Sequence, residues 1–64
     1  MDIGGRIKML RMSKGLSQKA LGEKCGVGLH SVWRWETGRR SPRADQIYRL
    51  AEALGSTVSE VMEP

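Results

Sequence analysis

"SQKALGEKCGVGLHSVWRWETG", residues 17–38, is the stretch on which the fold turns. Ser17 can cap a helix with its hydroxyl, although Ala20 stands where a capping box wants glutamate. Leu21 and Cys25 are four apart and share one helical face. Gly26 then stops the run, and a second amphipathic run follows that keeps Val32 and Trp35 three apart until Gly38 closes it. The stretch therefore reads as a helix over Gln18–Lys24, a turn at Gly26, and a second helix over about Gly28–Thr37. Each position has a geometric reason. Gly22 is the small residue where two such helices cross closely. Gly26 enters the turn, where a positive φ suits glycine. Val27 covers the turn.

The remaining chain is helical as well. Ile3, Ile7 and Leu10 recur at spacings of four and three behind an Asp2 cap, which predicts a helix over Ile3–Ser13 stopped by Gly15. Ser41-Pro42 reads as a loop or a helix start. Ile47, Leu50, Ala51 and Leu54 share one face of a helix over about Ala44–Leu54, ended by Gly55. Thr57 with Glu60 forms a capping box for a last helix, Val58–Met62, whose apolar side is Val58, Val61 and Met62. No stretch alternates strictly enough to be a strand. The expected fold is all-α: a single domain over 1–64, a compact bundle of five short helices. Its second and third helices, joined by a short glycine-containing turn, form a helix-turn-helix of about 17–37.

Composition narrows the function. A chain of 64 residues buries only about 60% of the surface it exposes when unfolded, which leaves little room for an enclosed active site. One cysteine cannot form an internal disulfide, and one cysteine with one histidine cannot close a zinc site of about four ligands. Paired carboxylates and a nucleophile–base set are missing. Gly4-Gly5 has no strand before it and so does not read as a nucleotide site. The expectation is a protein that is not an enzyme and has no metal, cofactor or small-molecule ligand. Apolar runs fall short of the roughly 20 residues that span a bilayer, and Met1–Gly5 lacks the apolar stretch of a signal peptide. A lone cysteine suits a reducing compartment, so a cytoplasmic location is expected. Charge is divided unevenly. Residues 1–44 carry ten Lys/Arg against Asp2, Glu23 and Glu36, whereas residues 45–64 carry Arg49 against four carboxylates. That asymmetry points to a polyanion-facing part and a supporting part.

Three segments carry a family resemblance: "GLSQKALGEKCGV", "WRWETGRRSP" and "LAEALGSTVSEV". With "IKMLR" of the first helix they resemble the XRE family of helix-turn-helix DNA-binding domains, the lambda-repressor-like fold of phage Cro and repressor proteins, over nearly the whole chain. The resemblance implies sequence-specific binding of double-stranded DNA by a transcriptional regulator, repressor-like and nucleoid-associated when bound. It further implies a homodimer on a palindromic site, with the dimer surface around Thr57, Val58, Val61 and Met62 unless those residues close the core instead. The chain departs from the family's pattern in three places. Gly22 stands where alanine is frequent, Gly28 where serine or threonine opens the recognition helix, and Trp33 where a small or polar residue is usual.

A helical wheel at about 100° per residue sorts the third helix by face. Val32, Trp35, Glu36 and Gly28 fall on one side; His30, Arg34 and Thr37 fall opposite; Leu29 and Trp33 lie at one edge and Ser31 at the other. Trp35 is expected in the core. Trp33 is open between partial burial against a neighbouring helix and contact with DNA. By the resemblance, Leu29, His30, Trp33 and Arg34 face the bases. An arginine can pair with guanine O6 and N7, and an apolar side chain can pack on a thymine methyl. Gln18, Gly28, Ser31, Thr37, Arg39, Arg40 and Arg43 are expected on the DNA backbone, which positions without reading sequence. Glu36 faces inward, and the resemblance pairs it with Arg11 in a structural salt bridge. A competing reading keeps the fold as a protein-interaction module or antitoxin-like partner that does not read DNA; the retained arginines speak against it.

Overall fold

A computed structural model describes residues 2–62, so the ends of the expected 1–64 unit lie outside the described residues. Five helices follow in order: α1 (Ile3–Ser13), α2 (Gln18–Cys25), α3 (Leu29–Glu36), α4 (Ala44–Leu54) and α5 (Val58–Met62). They pack in a closed ring, α1 on α3, α3 on α2, α2 on α4, α4 on α5 and α5 back on α1. The bundle measures 24 × 24 × 21 Å, about two helix diameters across, so every helix keeps one face in solvent. The core is Ile7, Leu21, Cys25, Val32, Trp35, Leu50, Ala51, Leu54 and Val61, drawn from all five helices.

The helix ends are settled by local chemistry. Asp2 accepts from the Gly5 amide at 2.7 Å, Ser17 from the Ala20 amide at 3.0 Å, and Thr57 and Glu60 exchange both bonds of a capping box, at 2.8 and 3.1 Å. That capping bond holds the Glu60 carboxyl below its ordinary pKa, because the Thr57 amide favours the charged form. At α4, Gln46 Oε1 accepts from the Arg43 amide at 2.8 Å. Three boundaries differ from the sequence reading. The second helix continues through Cys25, and the third begins at Leu29 and ends at Glu36, with Gly28 as its N-cap and Thr37 as its C-cap. Gly28 has no side chain to offer, so α3 starts without a side-chain cap.

Two close approaches set the angle of α3. Gly26 takes φ 73° after α2, which lets the Val27 amide reach back to the Gly22 carbonyl at 2.8 Å. A Cβ on Gly22 would sit 2.8 Å from the Val27 carbonyl oxygen, so the turn folds directly over a bare backbone. Gly4 plays the same part from α1: a Cβ there would run into the Trp35 carbonyl oxygen and come within 2.9 Å of that of Glu36. The C-terminal end of α3 thus lies against α1, and its outer face is pushed toward solvent.

Candidate nucleic-acid interface

The inward side of α3 aims the rest of the helix. Val32 is fully buried and Trp35 is 2% exposed. Glu36 follows with its side chain 2% exposed, a carboxylate nearly stripped of water. An uncompensated charge there would cost several kcal/mol. Arg11 supplies the compensation: its Nε donates to Glu36 Oε2 at 2.7 Å and Nη2 to Oε1 at 3.2 Å, while Nη1 donates to the Leu16 carbonyl at 2.8 Å. Gln18 Nε2 adds a third donor to the carboxylate at 3.1 Å. One buried carboxylate therefore ties the start of α2 and its preceding turn to the end of α3.

The outward side is different. Leu29, His30, Trp33 and Arg34 are all exposed. Trp33 is 40% exposed, and the Arg39 guanidinium lies over its ring at 4.6 Å from the centroid. Gln18, Leu29, His30 and Trp33 border one concavity. Along the other edge, Ser31, Arg40, Ser41, Arg43 and Gln46 with the rim of Trp35 border a second, polar concavity of about 330 Å³. It carries two guanidinium groups and two hydroxyls beside the start of α4. Arg43 is held loosely here, 3.6 Å from Asp45 in a largely exposed pair.

Several expected backbone-facing residues are not equivalent in three dimensions. Thr37 uses its donors inside the helix, its hydroxyl on the Trp33 carbonyl at 2.8 Å and its amide on the same oxygen at 3.0 Å, so it has no donor left for an anion. Gln18 has one amide hydrogen committed to Glu36, which leaves its other one and the α2 N-terminus facing outward. Arg39 stacks on Trp33 and does not stand free. Ser41 and Gln46 join the site without having stood out in the sequence. Their signal was available: a Ser-Pro loop followed by a glutamine at the third helical position, where it caps and flanks at once. Cys25 adds no chemistry. It is 1% exposed, and burial pushes its thiol up despite the opposing pull of Arg49.

On the α5 side, Val61 is fully buried and Val58 packs against the core, whereas Thr57 and Met62 are exposed. Of the four residues considered for a dimer surface, Val61 is therefore withdrawn, because its side chain closes the bundle. Among the described residues no helix is long and apolar enough to cross a membrane.

A family model described as a helix-turn-helix domain matches residues 2–63. The chain is 34% identical over 62 residues to an uncharacterized HTH-type transcriptional regulator, y4dJ, of Sinorhizobium fredii, covering 97% of this chain and 80% of that protein. It is 28% identical over 57 residues to the cryptic phage CTXphi transcriptional repressor RstR of Vibrio cholerae, covering 89% of this chain and 51% of the repressor. The chain thus spans most of the first relative and about half of the second. Among solved structures, the P22 c2 repressor in complex with a synthetic operator superposes with a TM-score of 0.93 at 25% identity, over 98% of this chain and 96% of that one. The restriction-modification controller protein C.AhdI from Aeromonas hydrophila superposes with a TM-score of 0.90 at 35% identity, over 94% and 91%.

Proposed function

Because this chain belongs to the helix-turn-helix family of DNA-binding transcriptional regulators, of the XRE type, we propose that it reads double-stranded DNA with α3 in the major groove and α2 across the phosphate backbone. The observation that carries this reading is the division of α3: one side is buried and locked by Arg11–Glu36, and the other presents Leu29, His30, Trp33 and Arg34 together to solvent. Arg34 has the fork geometry for guanine O6 and N7. His30, one turn before it on the same face, reaches the neighbouring base edge.

The polar concavity of Ser31, Arg40, Ser41, Arg43 and Gln46 takes a backbone phosphate, and the start of α2 with Gly28 and Gln18 takes another, where helix N–H donors favour an anion. A domain this thin makes few base contacts, so specificity calls for two copies. A twofold dimer places its recognition helices about 34–36 Å apart on a palindromic site. Thr57, exposed just before α5, and Met62, exposed at its end, are the residues available for that contact.

The test is binding of a selected duplex as salt is raised. Log affinity should fall linearly with log salt, as counterions leave the phosphates; a flat line would sink the reading. Arg34→Ala should relax specificity at one base pair, by about 1–3 kcal/mol of discrimination. Arg40→Ala should weaken all sequences alike and flatten the salt slope by about one unit.

A further inference from the structure

Ser41 is the exposed hydroxyl of the segment that joins α3 to α4. Residues 41–43 have no regular secondary structure, and Pro42 is buried beside two exposed neighbours. The loop is therefore anchored from beneath, and Ser41 is left on the outside. Ser17 and Ser56 differ: their hydroxyls serve the fold, one accepting from the Ala20 amide and the other donating to the Leu54 carbonyl. Ser41 instead borders the polar concavity of about 330 Å³ whose charged lining residues are Arg40 and Arg43. Asp45 is the opposing charge, outside that lining and 3.6 Å from Arg43 in an exposed pair. Arg39, the next cation along the loop, lies over Trp33.

Two guanidinium groups on the walls suit a phosphate oxyanion, which they bind with charge-assisted hydrogen bonds. A DNA backbone phosphate is one occupant; a phosphoryl group carried on Ser41 is another, and its tether gives it a far higher local concentration than a free anion has. Resting on the DNA-binding reading above, we propose that Ser41 is a phosphorylation site, and that its phosphoryl group fills the concavity from within and shuts the backbone phosphate out. In the transfer, Ser41 Oγ attacks the γ-phosphorus of a nucleoside triphosphate held by a protein kinase. The Oγ–P bond forms, the bond to the β–γ bridging oxygen breaks, the nucleoside diphosphate leaves, and the hydroxyl proton passes to a base of the kinase. The product carries a charge of about −1.5 to −2 at neutral pH, enough to offset both guanidinium groups. Ser41 lies on a loop, so a kinase reaches it without unwinding a helix; Ser31, which borders the same concavity, is half-buried within α3.

The test installs the phosphoryl group by chemical synthesis of the 64-residue chain with phosphoserine at position 41. Circular dichroism should match that of the unmodified chain, because Ser41 is exposed. Phosphorus NMR then titrates the group. Neighbouring cations favour the dianion, so its second pKa in the folded chain should lie about half a pH unit or more below that of the same chain unfolded in urea. Arg40→Ala and Arg43→Ala together should abolish the gap. On a duplex enriched from a random pool by the unmodified chain, the phosphorylated chain should bind about tenfold or more weakly, with a salt slope smaller by about one unit, the mark of one displaced phosphate. Phosphatase treatment should restore both. The chain recovered from its own cells should include a fraction phosphorylated at Ser41, located by mass spectrometry. Four outcomes overturn the proposal: equal pKa values folded and unfolded, a gap that survives loss of both arginines, an unchanged affinity for DNA, or no phosphorylated fraction under any growth condition. An unmodified chain that enriches no duplex removes the DNA-binding reading instead, while the phosphorus titration still decides whether the phosphoryl group sits between the arginines.

Discussion

Trp33 and Trp35 stand two residues apart on one eight-residue helix, one 40% and the other 2% exposed. The inner face that holds Trp35 is saturated: Val32 and Trp35 are packed, and every oxygen of the Glu36 carboxylate has a donor. The outer face that holds Trp33 is a set of walls and cations with space between them. The two indoles are therefore separated by about 160° of helix (two steps of 100°, taken the short way round) and not by distance along the chain. The faces meet where Gln18 bonds Glu36 on the inside and borders the Trp33 concavity on the outside.

The comparison breaks most visibly at the tryptophans themselves. Trp35→Ala should cost about 3–5 kcal/mol, from about a third to all of the roughly 3–10 kcal/mol expected for a chain of this length. Trp33→Ala should stay within about 0.5 kcal/mol of the parent and lose binding selectivity instead. Urea denaturation followed by circular dichroism checks both, and equal midpoints for the two variants would dissolve the distinction between the faces.

Next in size is the ion pair. Arg11→Ala leaves Glu36 buried with Gln18 as its one remaining side-chain donor, and the expected loss is about 3 kcal/mol. Arg6→Ala is the control: Arg6 donates from the exposed surface to the Glu60 carbonyl at 2.7 Å, and its removal should cost about 1 kcal/mol or less. Melting temperatures that coincide would mean that Glu36 finds water or rearranges when Arg11 is gone.

Much of this arrangement was legible in the sequence. Periodicity and glycine punctuation located the five helices to within a residue, because capping and apolar spacing are local properties. Trp35 could be told from Trp33 on a wheel for the same reason. What stayed hidden depends on where distant elements meet. Gln18 reads as a free residue at a helix start until α3 brings Glu36 beside it. Thr37 reads as a free hydroxyl until the helix end turns it onto the Trp33 carbonyl. Val61 could serve a dimer or the core, and only the packing of α5 on α1 and α4 decides for the core. Gly4 carries a weaker mark still. A glycine inside a helix three residues before a core isoleucine is the available signal, but its meaning lies in the α3 carbonyls above it.

Gly4→Ala tests that last point. Alanine gains about 1 kcal/mol of helix propensity, yet its methyl meets backbone oxygens that cannot rotate away. The overpacking cost of about 1–3 kcal/mol should win, giving a net loss that a denaturation midpoint detects. A gain in stability would mean that α1 can slide off the inner face of α3 without harm.

The smallest effect belongs to the one end of α3 that neither face controls. Gly28 sits at φ −84°, ψ 165°, and a side chain starting there would meet nothing within 4 Å of its first carbon, whereas Ser17 sits at φ −77°, ψ 166° and caps α2 through its hydroxyl. The backbones match, so a serine at position 28 can accept from the Ser31 amide as Ser17 does from Ala20. Gly28→Ser should therefore raise stability by a few tenths of a kcal/mol, the usual margin of serine over glycine at an N-cap. It adds no bulk to the concavity of Gln18, Leu29, His30 and Trp33, so the selectivity of DNA binding should not move. A variant that stabilised the fold and also changed that selectivity would show that α3 is loose at its start in the parent chain, and that the outer face depends on order that the inner face does not supply.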